Sequence, residues 1–306
     1  MPEHTAPAAA AARWWSADWT CIAQARARTG RPRVPLWVDG VVAGSVAQAD
    51  LAALAVWPQW LRVDAQGVAL TAPAEALSVV LAEVNHALRA QGLIRAWRDE
   101  PYPLLDDEDR LCATIERASA RFWGTRTFGA HCNGFVADAT GRPAQLWIAR
   151  RSFDKATDPG MLDNLIGGGV PLGQTPREAL LREAWEEAGL LPAQMAVLRP
   201  GRVLALDCDL PEGRQVEWLH VYDLAMPRGL QPRNQDGEVA EFSLMSVAEA
   251  LARAANGEMT VDAALCTLDF ALRHRLLPAD QAERLAEPLA TLLVSPEHAA
   301  RFDPPV

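Results

Sequence analysis

Between Gly167 and Leu190 the chain reads GGGVPLGQTPREALLREAWEEAGL, with Glu183, Glu186 and Glu187 closely spaced within it. At about 100° of rotation per residue, these three carboxylates fall within an arc of about 100° on a helix. Leu181, Ala184, Trp185 and Ala188 cover the other side, so such a helix buries an apolar face and presents carboxylates opposite it. A solvated acidic face is the ordinary reading of this pattern. Two features oppose it. Like charges four residues apart disfavour a helix, and only Arg182 stands beside the trio as a counter-charge. Gly167, Gly168, Gly169 and Gly173 also let backbone approach a ligand closely. Clustered carboxylates with space before them suit hard cations such as Mg²⁺ or Mn²⁺. Attack of water on a diphosphate is chemistry that such cations serve.

The helix that must carry these groups has clear limits. Thr175 is a good N-cap, Pro176 suits the first helical position, Glu178 completes a capping box and Gly189 terminates. Before it, HCNGFVAD and QLWIARRS read as strands joined by the turn ATGRP; after it come strands at Arg202–Leu206 and Val216–Leu224, then helices. The N-terminal region predicts a helix from about Arg13 to Ala27 and a hairpin turning at Asp39-Gly40. A second strand pair follows at Leu61–Asp64 and Val68–Leu70. Leu77, Val80, Leu81, Val84 and Leu88 then mark an amphipathic helix over Pro73 to Ala90. Asp99 to Asp109, with two prolines and the run DDED, reads as a connecting loop, and Leu111–Ala120 as a helix. The expected class is α/β, with a small α+β domain over residues 1–120 and a second domain over residues 121–306.

The acidic segment resembles the Nudix box, G-x5-E-x7-R-E-U-x-E-E-x-G-U, where U is bulky and apolar. Gly168 matches the first glycine, Arg182-Glu183 the RE pair, Glu186-Glu187 the EE pair and Gly189-Leu190 the end. It departs at Gln174, where the family has a glutamate, and at Ala184, a small residue at a bulky position. The resemblance implies a mixed sheet sandwiched by helices and metal-dependent hydrolysis of a diphosphate. It implies Glu183, Glu186 and Glu187 as catalytic metal ligands, with Arg182 holding them by ion pairing. A later-loop acid often joins them, and NQDGEVAEF offers Glu238, preferred here, and Glu241; a plain surface acid is the equal alternative.

A second resemblance covers nearly the whole chain. HCNGFV, LWIARRSFDKATDPGMLDNLIGGG, VYDL and NQDGEVAEF are similar to a two-domain Nudix subfamily found alone or fused to thiamine pyrophosphokinase in fungi. WRDEPY (Trp97 to Tyr102) and IERA (Ile115 to Ala118) look like the signature of its N-terminal domain. This subfamily implies hydrolysis of thiamine diphosphate, or of oxythiamine and oxothiamine diphosphates, to monophosphates. Arg150, Arg151 and Lys155 would clamp the diphosphate or simply form a basic strand end. Asp163 and Asn164 would position the substrate or cap a turn before Gly168 and Gly169, and Gln174 would coordinate through its amide. Flat cationic rings favour an aromatic wall, for which Trp97 and Trp123 near the domain junction are the candidates. His131 is read as a locally hydrogen-bonded residue.

Composition sets outer limits. Among 306 residues half are hydrophobic and 22% charged, as in an ordinary globular protein. A formal charge of -10 argues against broad attraction to nucleic acid or anionic membrane. Five scattered cysteines without CxxC spacing indicate a reducing compartment. No signal peptide or spanning segment is expected, so the expectation is a cytoplasmic protein acting on a small-molecule diphosphate, and a homodimer is compatible with this sequence. The competing readings are a pyrophosphatase for a nucleotide sugar or dinucleotide and a non-catalytic sensor on the same scaffold.

Overall fold

The computed structural model describes residues 19–303. Helix α1 (Thr20–Gln24) opens it, shorter than the expected Arg13–Ala27, of which residues 13–18 lie outside the described residues. Strands β1 (Arg33–Val38) and β2 (Val41–Ala47) form the expected hairpin. Asp39 at φ 49° and Gly40 at φ 80° supply the left-handed pair that a tight hairpin turn needs. After α2 (Leu51–Leu54), β3 (Leu61–Asp64) and β4 (Gly67–Leu70) complete a sheet ordered β2-β1-β4-β3, in which β1 and β4 run parallel. Helix α3 (Leu77–Ala90) lays its predicted stripe of Leu77, Val80, Leu81, Val84 and Leu88 into a core with Leu36, Val38 and Val68.

The next stretch corrects two expectations. Where a loop was expected, β5 (Pro101–Leu105) forms, and where a helix was expected, β6 (Leu111–Glu116) pairs antiparallel with it. The side chains of β6 alternate between the core and the surface, the period of a strand. Asp106 builds the turn between them, its Oδ1 accepting the Glu108 and Arg110 amides at 2.9 and 3.0 Å. Helical geometry appears only at Arg117–Ser119, as a 3-10 turn, and in α4 (Ala120–Trp123).

The second sheet grows from β7 (Arg126–Ala137), β8 (Pro143–Arg151), the short β9 (Leu162–Asp163) and β10 (Ile166–Gly169). Helices α5 (Pro176–Ala188) and α6 (Pro192–Met195) follow, then β11 (Arg199–Leu210), β12 (Gly213–Ala225) and β13 (Val239–Ser246). The chain ends in α7 (Val247–Ala255), α8 (Val261–Arg273), α9 (Ala279–Ala290) and α10 (Pro296–Ala299). Among the described residues the sheet is ordered β11-β12-β7-β8-β13, with β10 added to β7 and β9 to β8. It is mixed, because β12 runs parallel to β7 while its other pairs are antiparallel. Alternation on β12 sorts the two faces. Leu219 and Val221 pack with Leu265 and Leu268 of α8, whereas Trp218 and Tyr222 share a core with Leu180 and Ala184 of α5. The sheet is thus sandwiched between helices. Helix α1 joins the α8 side through Cys21. Among the described residues all five cysteines are free, and no helix is long and apolar enough to cross a membrane.

Two positions make this packing testable. Gly213 sits at φ +148° with its missing Cβ aimed into the carbonyl of Arg121 on α4, where the two sheets' elements meet. Gly213→Ala is expected to cost at least ~2 kcal/mol, read as a lower urea midpoint. His220 on β12 is 2% exposed with Nε2 unpartnered, and burial pushes its pKa down to about 4. The unfolded chain takes up that proton near pH 6.5, so this group withdraws stability as pH falls from 6.5 toward 4. The loss should approach about 3 kcal/mol and be absent from the difference curve of His220→Leu, measured by urea unfolding across that range.

Candidate functional site

Strand β10 lies antiparallel on β7, Gly168 facing Ala130 and Gly169 facing Gly129. Three residues beyond a tight turn at Gly173, helix α5 starts as its sequence dictates. Thr175 Oγ1 accepts the Glu178 amide at 3.2 Å, and Glu178 Oε2 accepts the Thr175 amide at 2.8 Å. Gly189, at φ 64°, ends it. The inward face of α5 is Ala179, Leu180, Ala184 and Ala188, and Glu187 goes in with them at 5% exposure. The expected apolar side is therefore rotated: Trp185 is 51% exposed and Leu181 only half-buried. Small residues at the contact let the helix press onto the glycine strand, which carries a carboxylate inward with it.

That close approach defines the site. A Cβ on Gly168 would overlap the Glu183 carboxyl group, whose Cγ would lie 2.7 Å away. Gly167 donates its amide to Glu187 Oε2 at 2.9 Å. Arg182 bridges the other two acids, Nη2 to Glu183 Oε1 at 2.9 Å and Nη1 to Glu186 Oε2 at 2.6 Å. Burial pushes the Glu183 carboxyl up to about 7; Arg182 opposes this, the charge of Glu186 adds to it, and Arg117 opposes it again. Burial and the Glu183 charge raise Glu187 well above the carboxylate range, against the Gly167 amide. Ionised together, these three carboxyl groups would carry more negative charge than the single adjacent Arg182 balances. Among the described residues no three His, Cys, Asp or Glu side chains already converge as a metal-ligand group, since Arg182 and Gly167 hold these oxygens.

Glu183 and Glu186 open onto a cavity of about 950 Å³ that also meets Gly168 and Gly169. Arg151, Lys155, Asp163 and Glu238 line it as well. Arg151 donates to Asp163 Oδ2 at 2.9 Å, and Lys155 is ion-paired to Glu238. Burial would raise the Glu238 carboxyl, but Lys155 and Arg98 hold it below its ordinary range. Glu187 faces an adjoining void of about 10 Å³ shared with Glu238, Lys155 and Asp163. His131 is on the cavity wall, its Nδ1 3.1 Å from Asn164 Oδ1, consistent with the local hydrogen bonding expected of it.

Five expected substrate contacts do not reach this cavity. Arg150 points to Glu241 at 2.7 Å and to the Gly160 carbonyl at 2.9 Å, because alternation along β8 turns it opposite to Arg151. Asn164 is buried in a polar network with Asn133 and Thr267, both at 3.1 Å. Gln174 lies off the cavity wall, its Oε1 buried without a hydrogen-bond partner. Trp123 is fully buried and donates to Asn85 at 2.8 Å in the N-terminal core. Trp97 stacks on His86 at 4.7 Å and donates to Asp99 at 2.7 Å. The expected aromatic wall is absent among the described residues lining the cavity. In its place stand Arg98, Arg117 and Arg121, which flank the β5–β6 hairpin and enter α4. The blocks WRDEPY and IERA contain two of these arginines, but nothing in their spacing says that they turn toward the glycine strand. Thr175→Ala should cost about 1 kcal/mol of stability, read from a thermal or urea midpoint, since the cap fixes where α5 begins.

A NUDIX domain matches residues 129–264, and a family described as a domain of unknown function, DUF4743, matches residues 20–127. Nudix hydrolase 20, chloroplastic, of Arabidopsis thaliana is 36% identical over 197 residues, covering 63% of this chain and 52% of that protein. Nudix hydrolase 24, chloroplastic, of the same plant is 37% identical over 204 residues, covering 64% and 54%. The chain spans about half the length of these two curated relatives. An uncharacterized Nudix hydrolase of Streptomyces coelicolor is 30% identical over 166 residues, covering 54% of this chain and 84% of that protein. With the box residues gathered on α5 and β10, and with that relative matched over most of its length, the chain belongs to the Nudix hydrolase family.

Proposed function

We propose that this chain hydrolyses a diphosphate with Mg²⁺ or Mn²⁺, and that its substrate is thiamine diphosphate or an oxidised relative such as oxythiamine or oxothiamine diphosphate. The observation that carries the reading is the pair of carboxylates pressed against the glycine strand, half-buried Glu183 against Gly168 at the cavity wall and buried Glu187 against Gly167 behind it. Their fit to a hard cation follows from the donor set. These are oxygen ligands whose charge burial and mutual repulsion leave uncompensated. Glu183, Glu186 and Glu187 would hold the ion, with Glu238 as the later acid. When bound, the ion supplies charge neutralisation on phosphoryl oxygens and acidifies a water. Arg182 orients the carboxylates through its two ion pairs. Arg151 and Lys155 receive the diphosphate, while Asp163 fixes the Arg151 fork. We assign residues 1–120 to a unit that completes the cavity wall and residues 121–306 to the Nudix unit. The thiamine reading is supported by the WRDEPY, IERA and LDNLIGGG blocks.

Glu186→Gln and Glu187→Gln should each lower turnover at least about 100-fold while remaining folded. Mg²⁺ should raise the thermal midpoint of the unaltered chain and lose that effect in the double variant. Full rate in both single variants would refute the assigned roles. Turnover compared between oxythiamine diphosphate and ADP-ribose decides the substrate, and a wide preference for ADP-ribose would replace the thiamine reading with a nucleotide one. If phosphate release appeared only after Gln174→Glu, the protein would be a sensor.

A further inference from the structure

We propose that Arg117, carried by the N-terminal segment, is a diphosphate-binding residue of this site, planted across the glycine strand from the acidic helix. The inference rests on the diphosphate reading above and adds to it a cation that the Nudix box does not contain.

Geometry supplies the argument. Tyr102 of β5 is 2% exposed and stands directly over Gly169, so close that any Cβ there would overlap its hydroxyl. The same Cβ would lie 3.1 Å from the Arg117 guanidinium. Gly168 and Gly169 thus bring two opposite charges to neighbouring points of one strand, Glu183 at the first and Arg117 at the second. A backbone bond from the Leu172 amide to the Pro101 carbonyl, 2.8 Å, ties β5 to the loop that follows β10. The register between the two segments is therefore held by main chain as well as by side chains.

The guanidinium itself is preorganised. Its Cζ lies 5.5 Å from the Tyr102 ring centroid, and Nη1 donates to Glu100 Oε2 at 2.8 Å. Glu116, beside it in sequence, accepts the Arg98 and Glu100 amides at 2.8 and 3.0 Å and so fixes the segment bearing Glu100. Among the described residues Glu100 is the hydrogen-bond partner of this guanidinium, which leaves donors on Nε and Nη2 for a ligand. The side chain keeps 38% of its surface open, and it lines the main cavity. A fixed, planar, permanently charged fork with free donors beside a glycine strand is the arrangement that recognises phosphoryl oxygens.

The decisive probe is methylenediphosphonate, a hydrolysis-resistant diphosphate, titrated calorimetrically in Mg²⁺ into the full chain and its variants. Arg117→Ala should weaken binding at least about tenfold, and Arg117→Lys should fall between it and the unaltered chain, since charge is kept and the fork lost. Gly169→Ala should weaken binding as well, by pushing Tyr102 and Arg117 off the strand. Glu100→Gln, which keeps an acceptor for Nη1 while removing an anion from the cavity wall, should bind at least as tightly as the unaltered chain. A merely structural role predicts the opposite: Glu100→Gln would then do the same damage as Arg117→Ala. If Arg117→Ala does not fold, Arg117→Lys decides. Arg117→Lys binding within twofold of the unaltered chain would overturn the inference. Failure of the unaltered chain to bind or hydrolyse any diphosphate would remove the underlying reading and this one with it.

Discussion

The structure is organised around carboxylates brought into a poorly solvated place where only glycine lets them go. Charge out of water is costly unless something compensates it. Here Glu187 has one backbone amide, and Glu183 shares one arginine with Glu186. A side chain at Gly168 would remove the tension at once by forcing Glu183 and α5 away from β10, but it would also remove the site. The chain instead anchors α5 by other means. A capping box fixes its first turn, a left-handed glycine its last, and Ala179, Leu180, Ala184 and Ala188 bind it to the sheet. Apolar packing along the inward face of the helix thus sustains the unfavourable electrostatics of Glu187 within it and of Glu183 beside it. That division of labour is common at sites poised to receive an ion.

Cations answer this charge locally, not globally. The chain carries a formal charge of -10, which by itself repels an anionic substrate. Yet the cavity draws arginines from distant parts of the sequence, Arg98, Arg117 and Arg121 from one side and Arg151 and Arg182 from the other. All five are already paired with a carboxylate, as Arg151 is to Asp163 and Arg117 to Glu100, and so is Lys155, to Glu238. Such pairs hold a cation in place at little cost in further ordering, so an arriving phosphate meets donors with few rotamers left to lose. The two segments that build the cavity meet closely where glycine leaves room, the Arg121 carbonyl against Gly213 and the Tyr102 hydroxyl against Gly169.

What was legible in the sequence was periodic or locally capped. The stripe from Leu77 to Leu88 and the box helix between Thr175 and Gly189 are written in spacing and cap residues, and both form. The strands β7 and β8 begin before the readable runs and contain all but the last residue of each. Misreading began where one side chain organises the backbone. Asp106 turns DDED into a tight reversal between two strands, which Pro101, Pro103 and the acidic run disguise as a loop. Rotation of α5 was misjudged for a related reason. Trp185 looks like core, but a helix against a glycine strand needs alanines at the contact, and the large ring is turned outward. Contacts between segments far apart in sequence, such as Arg117 with Gly169, have no local pattern to announce them.

Gln174 shows how the box tolerates a departure from its family pattern. Its Oε1 is buried without a hydrogen-bond partner, which costs on the order of 1–3 kcal/mol. A glutamate placed in the same spot would bury a charge without a partner, a much larger cost, unless an ion or a shift of the loop relieved it. The amide therefore keeps additional negative charge away from an acidic cluster whose carboxyls are already pushed up by burial and by one another. In this chain the box carries one carboxylate fewer and faces arginines brought from a second segment, so the charge that defines the site is set jointly by the box and by the residues that cover it.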